Sequence, residues 1–484
     1  MKLAEILKDI NVLELQADVS TEIYGISYDS RRTKPGDMFV AISGFESDGY
    51  AYIPSAVKNG ACIILCDRAP GVDIPYVLVD NCRYALAIAS RNYFGDPEGE
   101  MCVIGVTGTN GKTTSTYLMK HLLEEKLNAK VGLVGTNGNM IGDELIHTER
   151  TTPESFELQQ LFREMADAGC THVVMEVSSH SLTLHRVAGI DFQVGAFTNL
   201  TQDHLDFHHT MQEYAEAKAR LFEHCACGCI NLDDKWHDII TENAGCRLLT
   251  YSADGKDADL TASDIRLSAS GVEFNAAFGG DTARVRLAIP GRFSVYNALN
   301  VICMGLALGL SLDDCADAMS GAKGVKGRME VVPTDGDYTI LIDYAHTPDA
   351  LENALRALKD NVEGRLVVLF GCGGDRDRTK RPIMGGIAAD NADFVIVTSD
   401  NPRTENPDAI IGEIVEGLKN KKTPHKVIGD RAEAIKWAID NHLPDDVILL
   451  AGKGHEDYQV VGHEKHHMDE REIVAEHIEK RKNR

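Results

Sequence analysis

Gly105 to Thr114 read GVTGTNGKTT, directly after the apolar run Cys102-Val103-Ile104. Gly108 and Gly111 let the backbone come close to a ligand with no Cβ in the way. The successive amides of Gly108, Thr109, Asn110 and Gly111 then turn toward phosphate oxygens, helped by the positive end of the helix that follows. Lys112 can reach the terminal phosphates, and the Thr113 hydroxyl, with Thr114 next to it, suits Mg²⁺. The strict phosphate-loop pattern has glycine six residues before the lysine, where this chain has Val106. An ordinary strand–turn–helix connection is the plain alternative. The apolar strand before the loop and the helix after it are the context the motif requires, so nucleoside triphosphate chemistry is the working premise.

Other polar groups interrupt apolar surroundings. Glu176 ends the run His172-Val173-Val174-Met175. A carboxylate there is costly unless paired or metal-bound, so it reads either as a Mg²⁺ ligand beside the loop or as a structural ion pair. His204 lies in NLTQDHLD, after the strand-like Phe192 to Phe197; it could bind a second metal or orient a carboxylate. Lys218, in YAEAKAR, reads by itself as a solvated helix lysine. Arg328, in GRME, falls at a junction; a nucleotide contact and a linker salt bridge are equally open.

The elements that must position these groups alternate in type. Residues 1–97 form a small α/β unit with strand candidates at Asp37 to Ile42 and Ala61 to Leu65 and a helix between them from Pro54 to Asn59. The opening MKLAEILKDI reads as a short amphipathic helix, not a signal peptide. Residues 98–328 alternate strands (Lys130 to Val134, His172 to Val177) with helices (Ser155 to Ala168) and end in strand-rich sequence from Asp259 to Ile289. Phe293 to Leu312 is uncharged but carries Ser294, Asn297, Asn300 and Gly305, so it reads as a buried helix and not a membrane span. Residues 329–484 repeat the alternation, with strands at Thr339–Ile342, Leu366–Phe370, Phe394–Val397 and Val447–Leu450. These run into DYAH, GCGGDR, DNPR and GKGHE. In open α/β sheets ligands sit at the carboxyl ends of strands, so four polar clusters at four such ends imply one binding face. The expected fold is α/β in three domains: a small N-terminal domain, a central phosphate-loop domain on a mostly parallel sheet, and a C-terminal Rossmann-like domain.

Composition sets limits. The 484 residues exceed one core, and the net charge of −25 argues against bulk nucleic-acid or anionic-membrane binding. Anionic substrates must be met by local Arg and Lys clusters. Twelve cysteines without a secretory leader indicate reduced thiols in a cytoplasm. His224-Cys225-Ala226-Cys227-Gly228-Cys229 alternates in a way that fits no usual zinc pattern and reads as chance clustering.

Taken together these residues resemble the Mur ligase family over essentially the whole chain. GTNGKTT, Glu176 in MEVSSH, His204 in NLTQDHLD, Asn297 and Asn300 in YNALN, Arg328 in GRME and Asp343 in DYAH fall in the family's order and spacing. Tyr28-Asp29-Ser30-Arg31, followed by PGDMFVA from Pro35 to Ala41, is similar to the uridine-nucleotide domain of the diamino-acid-adding member. Asp400-Asn401-Pro402-Arg403 matches the DNPR that marks enzymes taking meso-diaminopimelate; Arg403 offers a fork for a distal carboxylate, which diaminopimelate has and lysine lacks.

The resemblance implies roles residue by residue. Gly108, Thr109, Asn110, Gly111, Lys112, Thr113 and Thr114 would hold ATP, with Asn297, Arg328 and Asp343 completing the nucleotide site. Thr113, Glu176 and His204 would bind Mg²⁺, and Lys218 matches the lysine that the family carbamylates to hold a second ion. Lys112, Lys218 and Asp343 are the implied catalytic residues. Ser30 would contact the uridine nucleotide, and Thr151, Thr152, Ser178 and Arg186 the muramoyl peptide. Arg376, Asp400, Asn401, Pro402, Arg403, Gly452 and Glu456 match the diaminopimelate pocket. Two departures stand out: Arg150 and Leu184 replace an Asn and a Gln of some members, and Phe45-Glu46-Ser47 replaces a His-Gln-Ala.

The implied reaction is cytoplasmic peptidoglycan-precursor synthesis in two steps. The D-glutamyl γ-carboxylate of UDP-N-acetylmuramoyl-L-alanyl-D-glutamate takes the γ-phosphoryl group of ATP, and the diaminopimelate amine then displaces phosphate from the acyl phosphate. No nucleic acid or membrane insertion is expected. The same ligation with L-lysine is the nearest alternative. A folylpolyglutamate synthetase shares the nucleotide core but is opposed by the domain before the loop. A regulatory phosphate-loop NTPase would turn over ATP with no amino acid present.

Overall fold

The structure is a computed structural model that describes residues 1–44, 48–148, 150–268, 271–322, 324–359 and 362–482. The Phe45-Glu46-Ser47 departure therefore lies outside the described residues. The chain divides into two compact units, Met1–Ser252 with Asn300–Ser311, and Ala253–Leu299 with Leu312–Arg484.

The first unit holds two sheets. In the smaller the strands lie in the order Val12–Gln16, Tyr76–Val79, Ile63–Cys66, Asp37–Val40 and Gly25–Ser27, parallel except for the first pair. The opening helix spans only Leu3–Ile6, shorter than MKLAEILKDI promised: Asp9 takes a left-handed φ of 63° and turns the chain into the first strand. Leu3 and Ile6 are its buried anchors. Helix Cys82–Tyr93 starts where the Asn81 side chain accepts from the amides of Arg83 and Tyr84, a capping geometry that satisfies two orphan donors.

The larger sheet of this unit runs in the order Arg247–Ser252, Cys225–Asn231, Phe192–Phe197, Cys102–Thr107, His172–Glu176 and Val131–Val134, all parallel. An antiparallel pair, Asn139–Ile141 and Glu144–Ile146, extends it. Strands buried on both faces explain the unbroken apolar runs of the sequence. The strand Cys102–Thr107 lies centrally, with later strands on both sides, which is a topological switch point. The register pairs Glu176 with Val106 and Phe197 with Thr107, so three carboxyl ends finish level.

In the second unit Leu260–Ser268, Gly271–Phe278 and Asp281–Leu287 form an antiparallel meander. The apolar stretch expected as one helix to Leu312, counted with the second unit up to Leu299 and with the first over Asn300–Ser311, is interrupted: helix Arg292–Ala307 stops before Gly309, at φ 87°, and a new helix begins at Leu312. A six-stranded sheet has the order Glu330–Val332, Thr339–Asp343, Val447–Ala451, Leu366–Phe370, Phe394–Val397, His425–Val427, parallel except for its first pair. The four inner strands lie within a residue of the sequence expectation. Among the described residues no helix is long and apolar enough to cross a membrane.

Candidate active site

Strand Cys102–Thr107 delivers the glycine loop, and Gly111 opens helix Lys112–Leu127. Gly108 has φ 146°, and a Cβ there would fall 1.9 Å from Thr198 Oγ1, so only glycine fits. The loop is braced from the strand ending at Phe197: Thr198 Oγ1 donates to Asn110 O at 2.7 Å, and Asn199 Oδ1 accepts from Asn110 N at 3.0 Å. Lys112 Nζ curls back onto the carbonyls of Gly108 and Thr109, at 2.9 and 2.8 Å.

Glu176 meets this loop from the adjacent strand end. Its Oε1 accepts from Thr113 Oγ1 at 3.0 Å and from Thr136 N at 2.8 Å, while Oε2 accepts from Thr136 Oγ1 at 3.1 Å. The carboxylate is 1% exposed and is held by hydroxyls and an amide rather than by an ion pair among the described residues. Thr136, which sequence reading missed, follows the strand Val131–Val134; its position after a parallel strand end was the available signal.

Lys218 overturns its plain reading as a solvated helix lysine. It is 1% exposed, its Nζ donates to Gly108 O at 2.8 Å, and it lies 4.5 Å from the centre of the Tyr214 ring. Burial, reinforced by the Lys112 cation, holds its amine well below the usual lysine range. Helix Met211–Ala219 buries Tyr214, Ala215, Ala217 and Ala219 around it. His204, at φ 52°, packs edge-on against His180 and, 6.1 Å between ring centres, against Tyr214. Tyr214 thus links His204 and Lys218, another residue the sequence did not single out.

The muramoyl-peptide candidates gather next to Glu176. Thr151 and Thr136 hydroxyls lie 3.0 Å apart, Thr152 Oγ1 donates to Glu176 O at 2.8 Å, and Ser178 N donates to Thr152 Oγ1 at 3.2 Å. Arg186 donates to Glu154 and to Thr152 O, both at 3.2 Å. Arg150 reaches the same Glu154 at 3.7 Å, so this departure adds a cation to the cluster. Ser30 is 5% exposed, apart from this group in the smaller sheet's loops, where its carbonyl accepts from Asn59 Nδ2 at 2.7 Å.

In the second unit the register places Asp343 beside Ala451, Leu369 beside Leu450 and Phe370 beside Val397. The four polar clusters therefore emerge along one edge, as the sequence implied. Asp343 accepts from the amides of Met329 and Ala345, at 2.8 and 2.9 Å; burial pushes its carboxyl up, against the pull of Arg328. The Arg328 guanidinium lies 5.1 Å from the Tyr344 ring centre. Asn297 is buried in helix Arg292–Ala307. Gly374 N donates to Asn401 O at 2.9 Å, and Arg403, at φ 50°, donates to Gly374 O at 2.8 Å, which draws GCGG and DNPR together. Arg376 is exposed and donates to Asp375 O. Asp400 is buried, and a Cβ on Gly452 would lie 2.8 Å from its Oδ2, so the glycine makes room for the carboxylate. Asn401 Nδ2 donates to Glu456 Oε2 at 2.9 Å.

Three stretches of the chain match known family models. Residues 22–101 match the model described as Mur ligase family, catalytic domain, residues 106–305 the Mur ligase middle domain, and residues 327–454 the Mur ligase, glutamate ligase domain. The chain is 48% identical over 482 residues to a protein of Caldanaerobacter subterraneus subsp. tengcongensis named UDP-N-acetylmuramoyl-L-alanyl-D-glutamate–2,6-diaminopimelate ligase, covering 98% of each. It is 45% identical over 482 residues to a like-named protein of Clostridium acetobutylicum, covering 99% of each. A solved structure titled as the same ligase superposes with a TM-score of 0.76 at 33% identity, covering 100% of this chain and 99% of that one.

Proposed function

The chain belongs to the Mur ligase family of ATP-dependent amide-forming ligases, and from that premise we propose that it joins meso-diaminopimelate to UDP-N-acetylmuramoyl-L-alanyl-D-glutamate in cytoplasmic peptidoglycan-precursor synthesis. The observation that carries this reading is the full-length identity to relatives named for that ligation. The alternative with L-lysine is not favoured: Arg403 presents a carboxylate-binding fork that lysine leaves unused.

In this reading residues 1–97 bind the uridine end of the precursor, 98–328 the nucleotide, and 329–484 the incoming amino acid. The loop amides and Lys112 neutralise the β- and γ-phosphates. Thr151, Thr152, Ser178 and Arg186 orient the D-glutamyl γ-carboxylate, which attacks the γ-phosphorus and releases ADP. Arg376, Asn401, Arg403 and Glu456 hold diaminopimelate so that its neutral amine attacks the acyl carbon and phosphate leaves. Asn297, Arg328 and Asp343 complete the nucleotide contacts.

Mg²⁺ fits the donors present. Thr113 Oγ1 and Glu176 offer hard oxygens 3.0 Å apart, the ligand type this ion prefers. Among the described residues no three His, Cys, Asp or Glu side chains are gathered for an ion, so the site would depend on nucleotide oxygens, His204 and a carbamylated Lys218. Bound there, Mg²⁺ would offset charge on the transferring phosphoryl group. Lys218 as an amine repels a cation; addition of CO₂ with loss of a proton makes it a carboxylate-like ligand.

The test is phosphate release with ATP, Mg²⁺ and UDP-N-acetylmuramoyl-L-alanyl-D-glutamate, comparing meso-diaminopimelate, L-lysine and no amine. Release that requires meso-diaminopimelate, with a tripeptide product, is expected. Release with lysine alone would sink the amine assignment, and release indifferent to the precursor would sink the ligase reading.

A further inference from the structure

Lys453 has no part in the roles above, yet it is one of the most enclosed cations of the chain, with a side chain 0% exposed. It sits in the turn after strand Val447–Ala451. Its Nζ donates to Asn401 Oδ1 and to Glu456 Oε2, each at 2.8 Å. Asn401 closes the triangle by donating from Nδ2 to Glu456 Oε2 at 2.9 Å. Asn401 Oδ1 also accepts from Val460 N at 2.9 Å.

This triangle decides two orientations. Two N–H donors, one of them an ammonium, converge on one end of the Asn401 amide, so that end is the oxygen and the NH₂ must face Glu456. Glu456 Oε2 is taken by two donors, so a ligand ammonium would be met by Oε1. A buried ammonium is expensive unless fully paired, and here its pairing is spent on two groups at the strand ends. The neighbouring fork of Arg403 offers the complementary charge for a carboxylate.

We infer that Lys453 is a positioning residue of the amino-acid face. It fixes the Asn401 amide and the Glu456 carboxylate toward the ammonium of a zwitterionic amino-acid end, beside the carboxylate fork of Arg403. It thereby favours a substrate whose far end carries both groups over one whose far end carries an amine alone. This rests on the reading that the face takes diaminopimelate.

The test uses the full-length enzyme and phosphate release, with substitutions Lys453→Met, Glu456→Gln and the double change. Lys453→Met should raise KM for meso-diaminopimelate about tenfold or more while KM for ATP and for the precursor stays within about twofold. Where turnover with L-lysine is measurable, it should fall less. Because Lys453 acts partly through Glu456, the double variant should lose less than the product of the two single effects. A melting curve for each variant separates this from unfolding. If Lys453→Met does not fold, the double variant, which removes both charges of the pair, carries the comparison with Glu456→Gln. A folded Lys453→Met with unchanged KM for meso-diaminopimelate, or multiplicative effects in the double variant, overturns the inference while leaving the ligase reading intact. A wild-type enzyme whose phosphate release ignores meso-diaminopimelate removes the ligase reading, and this inference with it.

Discussion

Lys218 and Lys112 illustrate how position sets the chemistry of identical side chains. Both donate to the Gly108 carbonyl, at 2.8 and 2.9 Å, yet Lys218 is sealed at 1% exposure whereas Lys112 opens the helix at the loop. The proposed carbamylation predicts that activity falls in CO₂-depleted buffer and returns with bicarbonate, while Lys218→Gln stays inactive in both. Equal activity with and without CO₂ would exclude it. Arg403 gives a second expectation. Arg403→Lys keeps the charge but loses the fork, so KM for meso-diaminopimelate should rise about 10- to 100-fold, as loss of one or two charge-assisted bonds implies. An unchanged KM would place the distal carboxylate elsewhere.

At the scale of elements, short connections carry the constraints. Gly327, at φ 70°, packs where a Cβ would lie 2.1 Å from the His455 amide nitrogen and 2.2 Å from Gly454 C. Both neighbours are backbone, so Gly327→Ala must displace the turn that carries Lys453 and Glu456. A loss on the order of 2 kcal/mol or more is expected in denaturant melts, since overpacking adds to left-handed strain. The same turn explains His455, whose imidazole is pushed down to about 4 by burial and by Arg328, so it is neutral at physiological pH. In the first unit Glu98, in the short helix Pro97–Glu100, is buried against helix Ser155–Asp167, and that burial pushes its carboxyl up to about 7. The folded protein therefore holds this proton more tightly than the unfolded chain, whose Glu titrates near about 4.3. Stability from this group declines as pH rises from about 4.3 toward about 7. Glu98→Gln should raise Tm relative to the parent at pH 8 and lose that advantage near pH 4. A difference independent of pH would show that Glu98 does not titrate in this range.

At the scale of the molecule, two compact units carry separate cores, so calorimetry should resolve more than one transition. Mg²⁺ with ATP should raise the transition of the unit holding the phosphate loop, by about 2.7 kcal/mol at a hundred times Kd, and Lys112→Met should suppress that shift. A single transition with no nucleotide effect would contradict the assignment of the loop. Much of this architecture was legible in the residues themselves. Inner strands such as Leu366–Phe370 and Val447–Ala451 are buried on both faces, and such burial writes an unbroken apolar run. The glycine loop and the strand-end clusters were legible because tight backbone turns and exposed ligand groups restrict residue type locally. Short edge elements such as Glu330–Val332, His425–Val427 and the hairpin Tyr458–Val461 with Glu464–His467 were not, because their exposed residues carry little pattern. Nor could the chain announce that Lys218 is buried, that Thr136 holds Glu176, that the Tyr214 hydroxyl meets Thr109 of the phosphate loop, or that Lys453 locks Asn401 to Glu456. Sequence alone determined the inner strands and the chemistry available at their ends. The folded chain settled the pairings between distant positions, because no local pattern reaches that far: Lys218 and Gly108 are separated by 110 residues, Thr136 and Glu176 by 40, Lys453 and Asn401 by 52.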